Sequence, residues 1–322
     1  MKVQAKFNVC SLTLNSNNEY ETFKDILPKK DFQFIELLGY SNLSAVEDGL
    51  AGGSRVTSFA EEEFAKPFGS SIVRPMRMIE PACKAKVQCD VLIISGHFGG
   101  GFFGELGLRA SFEDLNELSC DSKCDGVFRR PKEVFLFGCN TLASKERDHR
   151  SPQEYESILR ADGYSRETAQ AVSMLRYGPL GQSAASSMQM IFSEAPRIYG
   201  FGSTAPLGIN AAGMVRNYLR SVGDYAQHLR SVDRSTENTK LKVAFAPRLL
   251  LQKSGFSGAA REMSCSIQDT RTSWSRRLRS IEMALGSTER LAYIPTIQRA
   301  FDANSQRLSL DEQKTKNDHP QP

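Results

Sequence analysis

Short apolar runs closed by glycine or polar residues recur along the chain: FQFIELLG (32–39), DVLIISG (90–96), EVFLFG (133–138) and RIYGFG (197–202), with VQAKFNVCSL (3–12) as a fifth. Runs of this length, apolar at successive positions, are how parallel strands read when helices cover both faces of a sheet. The 32–39 run is the weakest of them, because it also fits the start of a helix. Between the runs lie segments with helical spacing at 59–65, 75–87, 152–161, 166–176 and 184–192, and again at 210–221 and 225–230. Strand and helix alternate. The alternation predicts an α/β fold, a mostly parallel central sheet with helices on both faces and right-handed crossovers, followed by a helical C-terminal extension. The expected division is an α/β unit over 1–230, a mainly helical extension over 231–303 that opens on the apolar run LKVAFAPRLLL (241–251), and a polar, disordered tail over 304–322.

Composition narrows the function only slightly. With 322 residues, 40% hydrophobic, 24% charged and a formal net charge of +4, the chain reads as an ordinary globular protein rather than a nucleic-acid specialist. The four arginines of RTSWSRRLR (271–279), beside the only tryptophan, Trp274, read as a solvated helix face. No stretch approaches the roughly 18 apolar residues of a membrane span, and the opening residues lack the apolar block of a secretory signal, so no membrane partner and a cytoplasmic location are expected. The seven cysteines are odd in number and irregular in spacing, which argues against a disulfide scaffold, for a reducing compartment and for at least one free thiol. Cys120 and Cys124 lie four apart with no second ligand pair nearby, so neither a metal nor another cofactor is expected.

In a parallel α/β sheet, functional loops gather at the carboxyl ends of the strands. His97 stands at one such end, after VLIIS and Gly96 and before Phe98, Gly99, Gly100 and Gly101, a poor place for a packing histidine. Its glycine run allows backbone amides to turn toward a reacting oxygen. The same run would suit a phosphate, but the lysine and hydroxyl residue of a P-loop are absent. Cys139 stands at another strand end, directly after EVFLFG. A thiol needs a base nearby to attack as thiolate. Of the other histidines, His149 lies in a charged loop, His228 in a helical segment and His319 in the tail, so His97 is the candidate base. Neighbouring parallel strands lie about 4.8 Å apart, close enough for residues just beyond two strand ends to share one cleft.

The blocks VLIISGHFGG and EVFLFGCNTLA, in that order, resemble the caspase-like clan of cysteine peptidases, which includes caspases, legumains, gingipains and separases. There, one apolar strand ends in histidine and glycine, and a second ends in a small residue and the nucleophilic cysteine. The resemblance covers about 90–208. It implies a cysteine endopeptidase acting on polypeptide substrates, with Cys139 as nucleophile and His97 as general acid or base. It also implies an oxyanion hole from the backbone amide of Cys139 and that of Phe98 or Gly99, and an activating partner or ligand; processing is common in such peptidases, but no linker in this sequence marks a cut site. The specificity pocket would be built from loops beside the cysteine strand and the next strand, which hold Asn140, Thr141, Ser203 and Thr204. Glu105 and Asp121 are acidic residues on the long 99–130 loop that could select arginine or lysine. That loop reads equally as a lid over the cleft or as a surface excursion with its own hairpin or helix. Phe98 interrupts the clan's histidine and glycine doublet, and this favours an alternative reading, a caspase-like scaffold or binding module without turnover.

Overall fold

The structure, a computed structural model, describes residues 6–38, 75–104, 108–144, 150–161, 165–177, 184–246 and 248–318. The helix expected at 59–65 lies outside the described residues, as do Glu105, His149 and His319. All five apolar runs are strands: β1 (Phe7–Thr13), β2 (Phe32–Glu36), β3 (Val91–Ser95), β7 (Glu133–Phe137) and β8 (Arg197–Phe201). With β9 (Leu250–Lys253) they form one six-stranded sheet in the order β2-β1-β3-β7-β8-β9. The first five are parallel and β9 runs antiparallel to β8. The fold is therefore α/β with a mostly parallel sheet.

Every residue of β3, β7 and β8 is buried, because alternate side chains enter separate apolar layers on the two faces. Leu92, Ile94, Val134, Leu136 and Ile198 enter one layer, which is filled by helices α2 (Pro75–Lys84), α3 (Phe112–Cys120) and α7 (Ala184–Ile191). Val91, Ile93, Phe135, Phe137 and Tyr199 enter the other, filled by α1 (Asn18–Ile26), α5 (Pro152–Ala161), α8 (Gly208–Val222) and α9 (Tyr225–Arg230). Helix α6 (Arg166–Tyr177) follows α5, and α10 (Thr239–Ala244) precedes β9, so the apolar run at 241–251 divides into the end of a helix and a strand.

The long segment after β3 is a built excursion. A three-stranded antiparallel sheet, β4 (His97–Phe98), β5 (Gly101–Phe103) and β6 (Arg109–Ser111), leads into α3, a 3-10 turn at Ser122–Cys124 and α4 (Asp125–Phe128). Ser111 caps α3 in a reciprocal box with Asp114, which satisfies amides that the first turn leaves unpaired.

Disulfides overturn the expectation of a reducing compartment: Cys10, Cys83, Cys89, Cys120, Cys124 and Cys265 are all disulfide-bonded. Cys10 of β1 bonds to Cys89, just before the neighbouring strand β3, and Cys83 of α2 bonds to Cys124. Their spacing looks irregular because sheet order, which sets β1 beside β3, brings the partners together. Cys139 is the free cysteine among the described residues.

At the amino end of β7, Glu133 is 0% exposed and carries a network of its own. The hydroxyls of Tyr199 and Tyr225 donate to its carboxylate at 2.5 and 2.6 Å, His228 Nε2 lies 3.0 Å from Oε1, and Arg197 Nη1 lies at 3.5 Å. Burial alone would raise the carboxyl, but hydrogen bonding and charge from His228, with the two tyrosine hydroxyls, hold it below the usual carboxylate range.

The chain divides into two compact units, Met1–Phe256 and Ser257–Pro322. The boundary falls later than residue 230 because 231–256 supplies β9 to the main sheet. The second unit holds α11 (Gly258–Gln268), α12 (Trp274–Leu285) and α13 (Arg290–Asp318). Helix α13 continues through the residues expected to be a tail, where Gln, Arg, Leu, Glu and Lys favour helix without an apolar stripe. Arg277 departs from the expected solvated face: it is buried, lies over the Trp274 ring at 5.2 Å, and donates from Nε to the Ile267 carbonyl at 2.7 Å.

Candidate active site

Strands β3 and β7 end level with each other. Ser95 is the register partner of Phe137, and the Gly96 amide donates to the Phe137 carbonyl at 3.1 Å. One glycine then follows on each strand, so His97 and Cys139 occupy equivalent positions beyond adjacent strand ends. The small residue before the cysteine has a steric cause. A Cβ on Gly138 would lie 2.8 Å from the Gly96 carbonyl oxygen and 2.9 Å from Phe98 Cβ, too close for either to remain in place. Gly138→Ala is therefore expected to part the two strand ends.

Cys139 is 1% exposed, and its Sγ accepts a hydrogen bond from the Ala205 amide at 3.3 Å, which fixes the thiol toward the loop after β8. The same loop accepts the Asn140 amide through the Ser203 carbonyl at 2.8 Å. Asn140 turns the chain with φ +62° and donates from Nδ2 to the Tyr155 hydroxyl at 2.5 Å. Its Oδ1 is buried and finds no hydrogen-bond partner among the described residues. Burial raises the Tyr155 phenol, and the neighbouring Cys139 adds to the rise.

The other positions named from sequence divide between the site and its support. Ser203 is half-buried, and its Oγ accepts from Arg150 Nη2 at 2.6 Å, while the Arg150 guanidinium lies 5.0 Å from the Tyr155 ring centre. Thr204 is buried beside them. Thr141 is fully buried and has a structural part, accepting from the Phe201 amide and donating to the Leu136 carbonyl. Asp121 caps the 3-10 turn through the Lys123 amide at 2.9 Å and does not line the recess at His97. The Gly99 amide donates to the Gly101 carbonyl at 3.0 Å inside the β4–β5 turn. Phe98 is buried against Phe102 and Phe112, with ring centres 5.0 and 5.5 Å away.

Two residues from the end of β1 complete the site, and sequence reading did not single them out. Asn15 Nδ2 lies 3.0 Å from His97 Nε2, within hydrogen-bond distance of the ring. Glu19, in the first turn of α1, lies with Asn15, Ser95 and His97 around a recess at the carboxyl ends of β1, β3, β7 and β8. The sequence signal was the polar run LNSNNE after an apolar strand, which reads as an ordinary loop leading to a helix. Burial pushes the Glu19 carboxyl up to about 7, outweighing hydrogen bonds from its own backbone, Ser95 and Ser16.

Among the described residues no group of histidine, cysteine and carboxylate side chains could hold a metal ion. No described helix is long and apolar enough to cross a membrane. Comparison with protein-family models, with curated proteins and with solved structures finds no match for the chain.

Proposed function

We propose that the chain is a caspase-like cysteine endopeptidase, with Cys139 as nucleophile and His97 as general acid and base. The observation that carries this reading is the equivalent placement of the free thiol and the imidazole beyond adjacent central strands. In this reading the Cys139 thiolate attacks the scissile carbonyl carbon and the amine leaves with a proton delivered through His97. Water then hydrolyses the acyl-enzyme, with His97 accepting its proton. The oxyanion would be held by the Cys139 backbone amide and that of Phe98, since the Gly99 amide is committed to its turn. Burial of Cys139 means the cleft must open to admit a polypeptide, which fits control by an activating partner or ligand.

The same burial, together with Phe98 in place of a glycine after His97, favours the second reading, a silent scaffold of the same fold. The disulfides favour an oxidising compartment over the reducing cytoplasm that the sequence suggests.

Incubating wild type and Cys139→Ala with a proteome-derived peptide library, and reading new termini by mass spectrometry, separates these readings. Cleavages present only with wild type are expected, with both proteins melting alike. Identical termini from both would favour the scaffold. His97→Ala should slow alkylation of Cys139, a sharper test than comparison with other cysteines, since Cys139 is the free thiol.

A further inference from the structure

We propose that the face at the amino ends of β1, β2 and β7 docks an acidic segment of a partner polypeptide, with Lys132 and Arg230 receiving its carboxylates. The face lies at the opposite strand ends from Cys139, so the inference does not rest on the peptidase reading. Because β1, β2 and β7 are parallel, the residues that lead into them share one edge of the sheet. Lys6 leads into β1, Lys29 and Lys30 into β2 and Lys132 into β7. Arg230 closes α9 on the same edge, next to Leu229, whose carbonyl accepts from Lys132. Among the described residues, none of these five cations makes an ion pair with a carboxylate.

Unpaired surface lysines are ordinary, and what separates this face is how two of its cations are held. Lys132 is half-buried; its Nζ donates to the Leu229 carbonyl at 3.1 Å and lies 5.2 Å from the centre of the Phe7 ring. The Arg230 guanidinium lies 5.4 Å from the centre of the same ring. Phe7 is itself half-buried, with its ring 5.9 Å from that of Phe32. Two like charges thus share one ring, at a spacing that salt screens only in part, since the Debye length is about 10 Å at ordinary ionic strength. An anion received by both relieves their repulsion, and side chains already held in place lose little freedom on binding it. Lys132 keeps donors beyond its bond to Leu229, and Arg230 offers the planar fork that matches a carboxylate.

The surroundings select the partner. Asp31 and Asp90 stand on the same edge, and Asp90 accepts from the Asn8 amide through Oδ2 at 2.8 Å. Their charges oppose a continuous phosphate backbone, whereas a peptide spaces its carboxylates by sequence and can meet the two cations while leaving the aspartates clear. With Lys132 and Arg230 over it, the Phe7 ring is also a poor stacking platform for a base. Among the described residues no large apolar side chain is exposed on this edge, so nothing there would enter a bilayer.

The full chain is titrated by fluorescence anisotropy with labelled octaglutamate, octaglutamine and octathymidylate, and by co-sedimentation with vesicles of phosphatidylserine in phosphatidylcholine. Octaglutamate is expected to bind about tenfold tighter than octaglutamine at low ionic strength, with the difference shrinking as salt rises. Lys132→Gln/Arg230→Gln is expected to weaken octaglutamate by about tenfold, and Lys132→Arg/Arg230→Lys to keep most of the affinity. Arg230→Gln alone, at an exposed helix end, should weaken it by about threefold with an unchanged Tm, which separates recognition from folding. Arg216→Gln/Arg220→Gln removes the same charge from exposed positions on α8 and should leave the affinity as it is in wild type. Equal weakening by the two paired Gln variants would reduce the effect to net charge and overturn the proposal. Tighter binding of octathymidylate than of octaglutamate would assign the face to nucleic acid, and binding to phosphatidylserine vesicles alone would assign it to a lipid surface; either result overturns the acidic segment. Octaglutamate that binds no better than octaglutamine would overturn it as well.

Discussion

Glu133→Ala is expected to destabilise the first unit by about 3–5 kcal/mol, the usual effect of removing one partner from a buried ionic network. The variant would leave the Tyr199 and Tyr225 hydroxyls, Arg197 and His228 without the acceptor they share at the amino end of β7. For a unit of this size each kcal/mol moves Tm by about 2–4 °C, so differential scanning calorimetry should show a fall of roughly 10 °C. The same network fixes the acid limit of the fold. Because the folded carboxyl is held below its ordinary value of 4.5, its stabilisation is present above that value and disappears as pH falls through the lower, folded one. Wild type should therefore lose stability below about pH 4. Glu133→Ala should lack this part of the acid transition, and an unchanged acid profile would remove Glu133 from the account.

Cys10→Ala/Cys89→Ala is expected to lower stability by about 3–4 kcal/mol. The Cys10–Cys89 bond spans 79 residues and links two neighbouring central strands, so it restricts the unfolded chain strongly. Both sulfurs are buried, so the substitution also removes packed volume between the sheet and α2. Thermal melting with and without a reductant that reaches buried bonds checks this directly. A wild-type Tm that does not respond to reduction would mean that the bond adds little to the native state, and the argument for an oxidising compartment would weaken with it.

The central strands were legible because each is a short run buried on both faces, a pattern that tolerates few other readings. Helices α5 and α9 fell where their spacing placed them, at Pro152–Ala161 and Tyr225–Arg230. Strand β9 was not legible, since an apolar run from 241 to 251 has no period that would divide it between a helix and an antiparallel strand. The β4–β6 sheet was legible only as one of two readings of the 99–130 loop, an excursion with its own hairpin or helix. Its strands are two or three residues long, and their pairing depends on turns rather than on side-chain alternation.

The thiol and imidazole could be found because each directly follows a buried run. Glu19 could not, because an acidic residue in the first turn of a helix is ordinary, being favoured there by the helix dipole. Only its burial beneath the loop after β8 sets it apart. The disulfides were hidden for a related reason: Cys10 and Cys89 are neighbours through the sheet, and spacing along the chain carries no trace of that.

Strand β3 lies between β1 and β7, and β7 is the last of the three to leave the ribosome. The imidazole is thus delivered before the thiol, and the two stand beyond adjacent strand ends only once β7 has aligned beside β3. In the proposed chemistry a nascent chain is harmless to itself and to its neighbours until Cys139 has been made. Reactivity arrives with the β3–β7 contact, after β1 and β2 and before β8 and β9 complete the sheet.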